Sequence, residues 1–233
     1  MDRITRKELK SDTFAVEVGQ TLTFFEEHKQ EAIRYGGGAL ALIVIVMGYL
    51  WYSGRQHSKR QEALYRAVQV QETPVGAVQP GSVQRSFPTQ EVKDEVAIKA
   101  FSELQTTYSG SAEGEIAGYY LGAIKADQGK LAEAEKIFKD VADHADEKYA
   151  SLATLALAQI YFADGRNDQG ESALRALINK PTPFVSKEQA TILLARYIAP
   201  RKPAEAKQLL DPLRSAPGAI GSAAITAYTE IPQ

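Results

Sequence analysis

Leu121–Phe138 reads LGAIKADQGKLAEAEKIF, two helix-forming stretches joined at Gln128-Gly129. Gly129 can turn the chain tightly because a left-handed backbone costs glycine nothing. The arrangement returns 36 residues later as Leu157-Ala158, Asp164-Gly165 and Gln169-Gly170. Another 36 residues on come Leu193-Leu194, Arg201 and Glu205-Ala206. A second alignment, offset by 37, sets Ala97, Phe101 and Leu104 against Ala134, Phe138 and Val141. A period of this size marks a repeated supersecondary unit. Each unit here is a helix, a tight turn and a second helix.

Packing explains which residues recur. Gly122 and Ala158 are small where the two helices of a hairpin must approach, and Leu121, Leu157 and Leu193 fill the space between them. Ala134 and Ala206 let the second helix settle on the first, while Phe138, Leu174 and Leu210 bridge to the next hairpin. One hairpin cannot bury such a face alone, so successive units must stack. Three units occupy 115–218, with half a unit before them at 91–108 and a closing helix at 219–230.

Working outward, Glu72–Gln90 carries Pro74, Pro80 and Pro88 and reads as a linker or long loop. Arg55–Gln71 ahead of it has no proline or glycine and continues as helix. Before that stands Gly36–Gly54, GGGALALIVIVMGYLWYSG, uncharged from Ala39 to Tyr52 and flanked by Arg34, Arg55, Lys59 and Arg60. A spanning helix needs roughly 17–25 apolar residues, which this run reaches with its glycines and Tyr52 counted. Tyr35, Tyr49, Trp51 and Tyr52 sit at its ends, where amphipathic rings favour the membrane interface. A cleaved signal peptide is disfavoured, because the run starts far from the N-terminus and no small-x-small cleavage site follows. Gly36, Gly37 and Gly38 suggest a hinge into the membrane. From Asp12 to Tyr35, Phe14, Val18, Leu22 and Phe25 share one helical face, an amphipathic helix suited to the membrane surface.

The expected fold class is therefore all-α: an N-terminal amphipathic helix, a single transmembrane helix and a helical-repeat solenoid. The expected parts are an N-terminal segment at 1–35, the spanning helix at 36–54, a juxtamembrane helix and Pro/Gly linker at 55–90, and the repeats at 91–233.

Lys and Arg number 27 against 29 Asp and Glu, a balance that argues against nucleic acid as a partner. The absence of cysteine removes disulfides, thiolate metal sites and thiol nucleophiles. His28, His57 and His144 lie on three separate elements without metal-ligand spacing. His144 stands among Asp140, Asp143, Asp146 and Glu147, which reads as a solvated acidic helix end rather than a metal site. Glu133 and Glu135 are two apart and so point to different helix faces. Gly36–Gly38 lead into the apolar run rather than into a phosphate-binding turn. The expectation is a non-enzyme without cofactor or metal.

The Leu121–Phe138 pattern resembles the tetratricopeptide repeat. The match is weaker in the second unit, where Gly170 stands for the usual alanine. In the third, Leu194 and Arg201 replace the small residue and the turn glycine. A short N-terminal segment, one spanning helix and then such repeats resembles the bacterial YfgM-like family. That resemblance implies a protein-binding scaffold of the inner membrane, ancillary to the SecYEG translocon and its secreted clients, chaperone-like, with the bilayer as its other contact. A structural or regulatory envelope protein, serving outer-membrane assembly or division, is an alternative, and a tethered enzyme or sensor a further one. Arg55, Lys59, Arg60 and Arg66 outnumber Lys29 and Arg34, so flanking charge leans towards cytoplasmic repeats. The resemblance implies periplasmic repeats, and that orientation is the expectation adopted.

After the hairpin-packing residues are assigned, one stripe of each first helix remains. In the second unit it is Leu152, Leu155, Gln159 and Phe162, spaced as one helical face. Subtracting 36 gives Ile116, Tyr119, Ala123 and Ala126, and adding 36 gives Glu188, Thr191, Ala195 and Ile198. First helices of such repeats line the concave side. Ile116, Tyr119, Ala123, Leu152, Leu155, Gln159, Phe162, Thr191 and Ile198 are the expected protein-binding groove.

Overall fold

The computed structural model describes residues 29–76 and 86–231, and nine α-helices are found among them. They are α1 Lys29–Glu72, α2 Gln90–Thr107, α3 Ala112–Asp127, α4 Leu131–His144 and α5 Glu147–Ala163. Then follow α6 Asn167–Asn179, α7 Lys187–Ile198, α8 Pro203–Leu210 and α9 Ala219–Thr229, with a 3₁₀ turn at Asp211–Leu213. Among the described residues the architecture is all-α, a row of helical hairpins. The chain divides into two compact units, one up to Ser58 and one from Lys59. The amphipathic stretch that begins at Asp12 lies outside the described residues as far as 28.

In the first unit, the described residues are helical throughout. Gly36–Gly38 lie inside α1, so the expected hinge is absent there. Helix propensity is a weak local preference that wider context routinely overrides. The apolar run is long enough to cross a membrane, and none of its most apolar stretch is buried within the structure.

In the second unit, α3/α4, α5/α6 and α7/α8 are successive hairpins, each touching the next, and α9 packs on α7 and α8. α2 is not left as an unpaired half unit. The final turns of α1, through Ala63, Leu64, Ala67 and Val68, pack around Phe101 and Leu104 of α2. Arg60 Nε donates to Glu113 Oε2 at 3.1 Å and ties this part of α1 to the first turn of α3. Glu113 is buried, and a buried carboxylate needs such a partner. The loop between α1 and α2 is fastened at its base, where Gly76 N donates to Phe87 O and Phe87 N donates to Pro74 O, each at 2.9 Å.

The helix starts alternate in kind. First helices carry side-chain caps: Ser111 accepts from Gly114 N, Asp146 from Lys148 N and Tyr149 N, and Ser186 from Gln189 N. Second helices begin at Lys130, Arg166 and Lys202 without a side-chain cap. A cation at a helix N-terminus opposes the macrodipole, and a carboxylate from the preceding hairpin offsets it. Arg166 donates to both oxygens of Glu135, at 2.9 and 2.6 Å. One repeat on, Lys202 Nζ lies 3.1 and 3.0 Å from the two oxygens of Glu171.

The turns explain how Arg201 can stand where glycine is expected. Gly129 and Gly165 both have φ +74, and the next residue's N–H reaches back to Lys125 O or Tyr161 O. The third turn instead continues right-handed through Ala199, and Lys202 N donates to Ile198 O at 2.7 Å. Pro203 then opens α8 at a position where its missing N–H costs nothing.

Candidate functional site: a trough along the first helices

The first helices α3, α5, α7 and the closing helix α9 line a shallow trough with two neighbouring depressions. One is bounded by Tyr119, Ala123 and Asp127 of α3, Leu131 and Phe138 of α4, Ala156 and Gln159 of α5, and Tyr197 of α7. The other is bounded by Leu155 and Gln159 of α5, Gln189, Ile192, Leu193 and Arg196 of α7, and Ile220 and Ala223 of α9. Exposed Gln159 belongs to both and marks the seam.

The first depression has an alanine floor and aromatic walls. Tyr119 lies 5.8 Å from Phe138 and 5.7 Å from Tyr149, ring centroid to centroid. Burial pushes the Tyr119 hydroxyl up from its ordinary pKa, and Tyr120 and Asp127 add to this. Burial likewise pushes up Tyr149. Both phenols therefore stay neutral at physiological pH and can donate or accept. From Tyr149 the aromatic row continues to Phe184, 5.5 Å away and partly exposed in the α6–α7 loop. The second depression is aliphatic, with Arg196 as its charged group.

The stripe expected to form the groove divides in the structure. Tyr119, Ala123, Leu155 and Gln159 line the trough. Ile116 and Leu152 are half-buried and are not among its lining residues. Phe162, Thr191 and Ile198 turn into the core, with Ile198 fully buried, and so correct the expected stripe. Phe162 stacks on Tyr197 of the next hairpin with centroids 4.2 Å apart and planes 4° from parallel. Thr191 donates to Lys187 O at 2.7 Å within its own helix. Ile198 shares a core cluster with Ala224 and Ala227 of α9. The physical reason is that adjacent first helices also pack on one another. Part of the stripe left free is taken up by that second contact, as the stack of Phe162 on Tyr197 shows. Trough residues the stripe omitted include Asp127, Ala156, Leu193, Arg196, Tyr197 and Ile220. Leu193 and Tyr197 are four apart, so a helical face one step round from the assumed one would have found them.

Elsewhere, Glu133 and Glu135 do face apart, Glu133 pairing with Lys125 in its own hairpin and Glu135 with Arg166 in the next. His144 Nδ1 lies 2.9 Å from Asp140 O at the end of α4, and among the described residues no cluster of three or more potential metal ligands is found.

No curated protein and no solved structure matches the chain. The family model of the tetratricopeptide repeat-like domain matches residues 24–189, more than half of the sequence. Repeats of this kind are in general protein-interaction modules rather than catalysts. The hairpins, their glycine turns and this match together place the chain in the tetratricopeptide repeat-like domain family.

Proposed function

We propose that the chain is a membrane-anchored scaffold whose trough holds segments of partner proteins. The observation that carries this reading is the exposed, mainly apolar trough along α3, α5, α7 and α9. A concavity walled by apolar and aromatic side chains with a few polar groups is the usual form of a binding site. The unburied apolar run of α1 supports anchoring in a bilayer. The order of parts resembles the YfgM-like family and supports a place beside the Sec translocon in a bacterial inner membrane. There the repeats would lie in the periplasm and act on secreted clients in a chaperone-like way.

Photo-crosslinking in cells tests the binding surface. A crosslinker replacing Gln159 should capture translocon subunits or secreted clients, whereas one replacing exposed Lys136 on α4 should not. Equal capture from both positions would reject the trough. Alkaline phosphatase fused after Gln233 should be active, since that reporter works only outside the cytoplasm. An inactive fusion in a stable product would reverse the orientation.

A further inference from the structure

We infer that the trough is electrically polar, so that it favours a partner segment with an apolar middle, an acidic end and a basic end. This deepens the scaffold reading and rests on it. Exposed Asp127 closes the depression walled by Tyr119 and Tyr197, while exposed Arg196 lines the one floored by Leu193 and Ile220. Gln159 at the seam offers an amide that can both donate to and accept from a bound backbone. Arg196 makes only a loose 3.9 Å approach to Glu230, with both groups exposed, so a ligand carboxylate can compete for it. The fitting occupant is thus one unfolded protein segment. Its acidic residues lie over the α7–α9 end, its basic residues over the α3–α5 end, and its apolar side chains fill the two depressions.

The test uses the full chain in phosphatidylcholine nanodiscs and three labelled synthetic peptides with one leucine-rich core. The first has two aspartates at one end and two lysines at the other. The second has aspartates at both ends, and the third has lysines at both. Fluorescence anisotropy should rank the mixed peptide tightest, by about three- to fivefold for each correctly seated charge, the size expected of exposed ion pairs. The advantage should shrink at high salt. Arg196→Glu should transfer the preference to the all-lysine peptide, and Asp127→Lys to the all-aspartate peptide. Both sites are exposed, so unchanged circular dichroism is expected and checks folding. Equal binding of all three peptides would overturn the polarity while leaving the scaffold reading intact. Binding of none would also overturn it, and the scaffold reading would then stand or fall on crosslinking from Gln159. Preferences that ignore both charge reversals would overturn the assignment of Asp127 and Arg196.

Discussion

Two neighbouring hairpins solve one packing problem in opposite ways. In α3/α4 the large ring sits on the second helix and the gap on the first. A Cβ added at Gly122 would lie 2.8 Å from the Phe138 ring. In α5/α6 the ring sits on the first helix and the gap on the second. A Cβ added at Gly170 would lie 2.7 Å from the Phe162 ring. What is kept between repeats is the sum of large and small across the interface, not the residue at a given position. Both rings reach the following hairpin, Phe138 through a cluster with Ala153, Leu157 and Ile160 and Phe162 through its stack on Tyr197.

The sharpest way to break the first arrangement is Phe138→Ala. The ring is almost fully buried, and its loss should cost about 3–5 kcal/mol. Thermal scans of the full chain, followed by helical circular dichroism, should show a clear drop in melting point. An unchanged curve would mean that Phe138 is not a core residue.

Gly122→Ala tests the same joint from the other side. The new methyl must push a ring that is almost fully buried, at a cost of about 1–3 kcal/mol. A variant as stable as the parent would show that the ring has room to move.

The second hairpin is better tested by a cycle than by one substitution. Gly170→Ala gains about 1 kcal/mol of helix propensity while crowding Phe162. Phe162→Leu removes the crowding and the stack on Tyr197. Gly170→Ala also restores the alanine seen at the matching positions Ala134 and Ala206. The double variant should be more stable than the sum of the singles by about 1 kcal/mol, the coupling expected of residues in contact. Strict additivity would mean that the two residues do not sense each other.

Much of this was legible in the sequence. The glycine turns at Gly129 and Gly165 and the buried Phe138 could be read from period and residue type. Gly170 could not. Taken alone it looks like a weak match to the repeat, because its meaning lies across the interface in Phe162. The same blindness misled the groove. A helical stripe shows which residues share a face but not which neighbour claims that face, and Phe162 and Ile198 were claimed by neighbouring helices. The pairing of α1's last turns with α2 was hidden by the proline-rich loop between them, which separates the two helices in sequence but not in space.

The smallest effect concerns the staple between these hairpins. Hydrogen bonds from Arg166, and then from Lys139, hold the Glu135 carboxyl at about 2, below its ordinary 4.5. The folded pKa is depressed, so the stabilisation is fully present above about 4.5 and is lost as pH falls through about 2. Glu135→Gln should melt slightly below the parent at pH 7, and the gap should close between pH 4.5 and 2. A gap that persists at pH 2 would assign the effect to packing instead.

The buried residues of the second unit fall into blocks of very different size. Seventeen form the cluster that runs from α5 to α9, against six on α4 and α5 and seven around α2. In a stacked array each block holds itself and its neighbour, so opening begins where the blocks are thin. Amide hydrogens of α2 and α3 should exchange with solvent sooner than those of α7 and α8. The trough straddles that gradient. Its aliphatic end rests on the slow block and its tyrosine end on the fast one, so one lip of the trough can breathe while the other stays still. Such a trough can loosen its hold on a bound chain by degrees, from one end, without the domain coming apart.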